Sequence, residues 1–99
     1  MSSQLLGRNI GVNEKTMREQ LRYEGFSRTY AWEDAPNTFY ADHTHATETV
    51  HIIVDGEMTL VTGGQQRTYR EGDRCDVSAG AVHSARMGPK GCRYLIGER

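Results

Sequence analysis

The stretch His43-Thr44-His45-Ala46-Thr47-Glu48-Thr49-Val50-His51 holds three of the chain's four histidines within nine residues, with one glutamate among them. Imidazoles and carboxylates are common transition-metal ligands, so this segment is a candidate metal site. Histidines at i and i+2 on a β-strand lie about 7 Å apart at Cα and point the same way, which lets both rings reach one cation. Such a chelating pair needs a third ligand, and the chain offers Glu48, His51 and the distant His83. The plain alternative for a single histidine on an apolar strand is a hydrogen-bonded core residue, so the spacing of the whole set must carry the argument.

Positioning such a cluster falls to short strands. After Gly25 the chain turns to β-favouring runs: FSRTYAW, TFYADHTH, TVHIIV, EMTLV, RTYR, RCDVS, HSARM and CRYLIG. They are divided by Asp34-Ala35-Pro36-Asn37, Asp55-Gly56, Gly63-Gly64, Glu71-Gly72-Asp73, Ala79-Gly80 and Gly88-Pro89. Seven or eight short strands at regular spacing predict an all-β sandwich or barrel. Alternation along TFYADHTH puts Phe39, Ala41, His43 and His45 on one face, and the apolar pair makes that face the interior. In TVHIIV both faces are apolar, so alternation alone does not orient His51.

Before the strands, Asn13 to Glu24 uses good helix formers, has Asn13 as its cap and stops at Gly25, predicting a short surface helix packed on the main body. The expected division is an arm and short helix over residues 1–26 and the barrel over 27–99. Met58, Leu60, Val77, Ala85 and Met87 read as barrel lining first and substrate pocket second. Cys75 shares the alternation of Val77 and is expected to pack there or line the cavity, and Trp32 and Phe39 read as core, with a pocket wall as the alternative.

Composition excludes several classes. With 99 residues the chain suits one domain, and a net charge of -1 with mixed signs gives no basic stripe for nucleic acid. No apolar run reaches the roughly 20 residues of a membrane span, and the first residues lack a secretory core, so a cytoplasmic protein is expected. Cys75 and Cys92 are too far apart for a Cys-x-x-Cys metal knuckle and are expected as reduced, packed thiols.

Taken together, the motifs resemble the cupin superfamily. The first signature runs His43-x-His45, a ligand slot at position 49 and Gly56; the second runs Gly72, five residues, Ser78-Ala79-Gly80, two residues and His83. Position 78 is usually Pro in that family and position 87 usually Asn, where this chain has Ser78 and Met87. The resemblance spans about residues 27 to 96. It implies a small single-domain cupin, a double-stranded β-helix or jelly-roll barrel, with a metal held inside.

Carried over position by position, the resemblance puts His43, His45 and His83 on the histidine ligands, while the acidic slot holds Thr49. Glu48 is one residue early, and a one-residue step turns a strand side chain to the other face, so either a bulge re-aims Glu48 inward as the acidic ligand or the site has lost its carboxylate. His51 shares the alternation of Thr49, so it is expected in the cavity as a fourth ligand or as the catalytic proton acceptor beside the metal; a three-histidine site that neither Glu48 nor His51 joins is the remaining arrangement. Imidazole ligands suit a divalent transition metal, Zn, Fe, Ni, Cu or Mn, better than Mg or Ca.

Two functions follow as expectations: a metal-dependent enzyme acting on a small molecule, dioxygenase-like where the metal is redox active, or a non-catalytic module that binds or senses a small ligand. A metal that only staples the core is a third. A homodimer is expected because open barrels leave sheet edges to cover.

Overall fold

The computed structural model describes residues 13–99, so the arm expected at residues 1–12 lies outside the described residues. Helix α1 covers Glu14–Tyr23. The strands are β1 (Arg28–Asp34), β2 (Phe39–His43), β3 (Thr49–Thr62), β4 (Gln65–Arg70), β5 (Arg74–Val77) and β6 (His83–Glu98). The helix forms where its caps predict: the Asn13 side chain accepts from the Thr16 amide at 3.1 Å, and Gly25 follows its end at φ +99°.

The long antiparallel pair β3·β6 is the spine of the barrel. Along its first half, β3 pairs with β5 through Thr49–Ile52, and β6 pairs with β1 through Cys92–Glu98. Along its second half, β3 pairs with β4 through Glu57–Thr62, and β6 pairs with β2 through His83–Arg86. Two four-stranded layers therefore share one bent spine, the all-β jelly roll that the resemblance implies.

Six strands among the described residues replace the seven or eight expected, because two of the dividers are bends and not breaks. At Asp55-Gly56 and at Gly88-Pro89 the ladder shifts register and resumes: Gly56 faces Cys92 and Met58 faces Met87. Gly56 has φ +82°, and a Cβ there would meet the Gly91 carbonyl oxygen, so the crossing of the two strands requires glycine. By contrast Gly63-Gly64, both at positive φ between the paired Thr62 and Gln65, does close a two-residue hairpin.

Two apolar clusters explain why alternation in β3 gave no answer. Ile53, Met58, Leu60, Cys75, Val77, Met87, Tyr94 and Ile96 pack inside the barrel. Val50, Ile52 and Leu95 point outward and are covered by Leu21 and Phe26. This part of β3 is buried on both faces, so it is apolar throughout. Burial of Leu21 and Phe26 contributes about 1.5–3 kcal/mol each. Two arginines clamp the helix at its ends: Arg93 reaches Glu14 with contacts of 3.1 Å, and Arg74 reaches Glu24 with contacts of 3.0 and 2.7 Å.

Candidate metal centre

His43 and His83 are direct register partners on β2 and β6. Directly opposed residues of an antiparallel pair share a face, which brings the distant His83 to the first motif. His45 follows just beyond the end of β2. The ring centroids are 4.2 Å apart for His43–His83 and 5.0 Å for each of His43–His45 and His45–His83. Ligand atoms of the three rings all lie within 4.8 Å of one another.

Backbone carbonyls fix two of these rings. His43 Nδ1 lies 2.6 Å from the Ala41 oxygen and His83 Nδ1 lies 3.0 Å from the Ala81 oxygen. A carbonyl only accepts, so Nδ1 carries the proton and Nε2 keeps its lone pair for a metal. Burial, and after it the neighbouring His83 and His43, lower the pKa of His45, which favours the neutral form that ligation requires. The residues thus fit a transition ion by donor type, convergence and tautomer.

His51 lines the same cavity but stands outside the three-ring group. Its Nδ1 is buried with no hydrogen-bond partner, and burial pulls its pKa down to about 4. A buried Nδ1–H without an acceptor is costly, so the proton of this neutral ring belongs on Nε2. Its tautomer is therefore the reverse of that at His43 and His83.

Glu48 points away from the cavity. It pairs with Arg99 at 3.0 and 3.2 Å, and backbone bonds between the two residues hold it there. Thr49 is buried, with its hydroxyl on the Thr47 carbonyl at 3.2 Å. No Asp or Glu is among the described residues that line the cavity.

The cavity encloses about 510 Å³, with Met58, Leu60, Ala85, Met87 and Ile96 on its apolar side. Val77 and Cys75 are packed in the core instead, and burial raises the pKa of the Cys75 thiol and pushes that of Cys92 up to about 12. The orientation of β2 differs from expectation. Between the pairs Tyr40↔Ala85 and His43↔His83, three steps along β2 match two along β6. That extra residue turns Tyr40 inward and sends Phe39 out, where it is 53% exposed under the Arg86 guanidinium. Neither Phe39 nor Trp32 is core: Trp32 is 51% exposed and lines the cavity with Tyr30, Tyr40 and Tyr94.

Sequence patterns missed one polar cluster. Asp34 accepts from Trp32 Nε1 at 3.0 Å, the Tyr40 hydroxyl at 2.7 Å and the Tyr94 hydroxyl at 2.6 Å. The pairing of Trp32 with Tyr94 across β1 and β6 assembles it, and no local motif marks that long-range contact.

Residues 31–96 match the model of a family described as Cupin domain. Among solved structures, a protein of unknown function from Rhizobium leguminosarum is 20% identical, with a TM-score of 0.67 over 71% of this chain and 66% of its own. The DMSP lyase DddQ from Ruegeria pomeroyi is 24% identical, with a TM-score of 0.66 over 72% of this chain and 36% of its own. KdgF from Halomonas sp. is 18% identical, with a TM-score of 0.60 over 72% of this chain and 67% of its own. These likenesses are of fold, and this chain spans about a third of the lyase and about two thirds of the other two. No curated protein matches the sequence.

Proposed function

The chain belongs to the cupin domain family, and from that premise we propose that its cavity holds one divalent transition metal on His43, His45 and His83 and acts on a small oxygen-bearing molecule. The observation that carries this reading is the convergence of three imidazoles within 4.8 Å beside an otherwise apolar and aromatic cavity. A metal bound there supplies a Lewis acid with open coordination positions. Three protein ligands leave such positions, which favours chemistry over a purely structural staple.

His51 stands beside the metal in this reading, as a hydrogen-bond donor in place of the expected fourth ligand or proton acceptor. Ligation through Nε2 would move its proton to the buried Nδ1, where the donor would find no acceptor. As it stands, Nε2–H is a neutral donor for an oxygen atom of the bound molecule, and it orients that oxygen without adding charge.

A non-catalytic ligand-binding cupin is the second reading, favoured because none of the described residues lining the cavity is a carboxylate able to shuttle protons. One experiment separates the two. Protein loaded anaerobically with Fe(II) is mixed with a panel of diketones, thiols and phenols while dissolved oxygen and product are followed. Turnover that is lost in His45→Ala supports the dioxygenase-like enzyme; saturable binding without product supports the module.

The same reading includes a homodimer. Phe39 on β2 and Trp32 on β1 expose about half their surface on strands that each pair with β6 alone among the described strands, and a second copy would cover these edges. Light scattering at micromolar concentration is expected to give twice the chain mass, and a monomer contradicts it.

A further inference from the structure

The cavity wall has an aromatic part, Tyr30, Trp32, Tyr40 and Tyr94, and each of these has its polar hydrogen committed to a carboxylate. Trp32, Tyr40 and Tyr94 give theirs to Asp34, and Tyr30 gives its own to Glu98 Oε2 at 3.0 Å. A phenol has one proton, so a tyrosine that has donated shows the cavity only oxygen lone pairs and ring. Burial first, and then Asp34, raise the pKa of Tyr94 and Tyr40, so both keep that proton. Donation to a carboxylate also makes each hydroxyl oxygen a better acceptor.

The charge behind this wall is uncompensated. Asp34 forms no ion pair with Lys or Arg among the described residues, whose ion pairs involve other carboxylates. Among the described residues no Lys or Arg lines the cavity. A carboxylate, phosphate or carbonyl group placed against the wall would find no donor there. A plain alkyl group would pack on the rings but gain nothing from the carboxylate field. A cation gains from the ring quadrupoles, from the lone pairs and from Asp34 at once.

We propose that Trp32, Tyr40 and Tyr94, gathered around Asp34, form a subsite for a small organic cation of the ammonium type. The proposal rests on the reading that this cavity takes a small molecule and names its class: a molecule with a cationic end on the aromatic wall and an oxygen end toward the histidines. The subsite itself requires no metal, so it is testable apart from the metal centre.

Trp32 is the chain's single tryptophan, and its fluorescence reports on the subsite directly. Metal-free protein in chelator is titrated with choline and with 3,3-dimethylbutan-1-ol, the same shape with carbon in place of the charged nitrogen. Choline is expected to bind saturably and about 5- to 30-fold tighter than the alcohol. In Asp34→Asn, checked for native circular dichroism, that preference is expected to fall below about threefold. Equal or weaker binding of choline by the native protein, or no response to either probe, overturns the subsite; an unchanged preference in D34N overturns the role of Asp34. Zinc titration of the metal-free protein after the chelator is removed reports on the metal reading separately, and binding of the alcohol alone would keep the small-molecule reading while sinking the cation.

Discussion

Replacing His51 by Leu is expected to make the metal-free protein more stable, the opposite of what truncating a buried core residue does. The native ring leaves a buried Nδ1 without a partner, a desolvation cost of about 1–3 kcal/mol. A swap of similar volume costs less than about 1.5 kcal/mol, so the net gain at pH 7 is about 1 kcal/mol. For a domain of this size that raises Tm by about 4–8 °C. The gap widens in acid. His51 titrates at about 4 in the folded chain against 6.5 for the ordinary group. The unfolded chain therefore binds the extra proton first, and native stability falls as pH drops from 6.5 toward 4. Leucine lacks this penalty, so by pH 4.5 the variant should lead by a further 2 kcal/mol or so. Urea titrations of both proteins in chelator at pH 7 and pH 4.5 measure the two differences. A variant less stable than the native protein by more than about 1 kcal/mol at pH 7, or a gap that does not widen in acid, would refute the orphaned-ring argument.

Three further outcomes follow from the fold. Gly56→Ala forces a Cβ into the Gly91 carbonyl at a positive φ and should cost at least about 2 kcal/mol in urea denaturation; a neutral effect would mean that the spine does not cross there. Phe26→Ala removes a fully buried ring from under α1 and should cost about 3–5 kcal/mol, whereas a loss under about 1 kcal/mol would show that the helix is not docked. The Glu24 carboxyl, held at about 2 chiefly by its hydrogen bond with Arg74, stabilises the fold above its ordinary value of 4.5, and that contribution is lost as pH falls toward 2. Glu24→Gln should therefore cost less than about 1 kcal/mol at pH 7 and nothing near pH 2, and a difference that grows in acid contradicts the pairing.

The histidines were legible because their information is linear. The spacings of His43, His45, Gly72, Gly80 and His83 are fixed along the chain, and register then places His43 opposite His83. The helix was legible for the same reason, since Asn13 and Gly25 are its own neighbours in sequence. What escaped depends on long-range pairing. Gly56 and Gly88-Pro89 have the residue types of turns, yet they bend strands that keep their partners. The extra residue in β2 that exchanges Phe39 for Tyr40 leaves no compositional mark. Asp34, Trp32 and Tyr40 meet Tyr94, about sixty positions later, only because β1 pairs with β6. Alternation alone did not orient His51, because α1 packed on the outer face makes β3 apolar on both sides; the resemblance at position 49 supplied the orientation that the cavity lining shows.

The claim that three histidines hold the metal, with His51 beside it, is tested most directly by zinc content after equilibration and gel filtration. Native protein and His51→Leu are each expected to retain about one zinc per chain, while His45→Ala and His83→Ala retain little. Full retention by either alanine variant, or loss of zinc from His51→Leu, would contradict it.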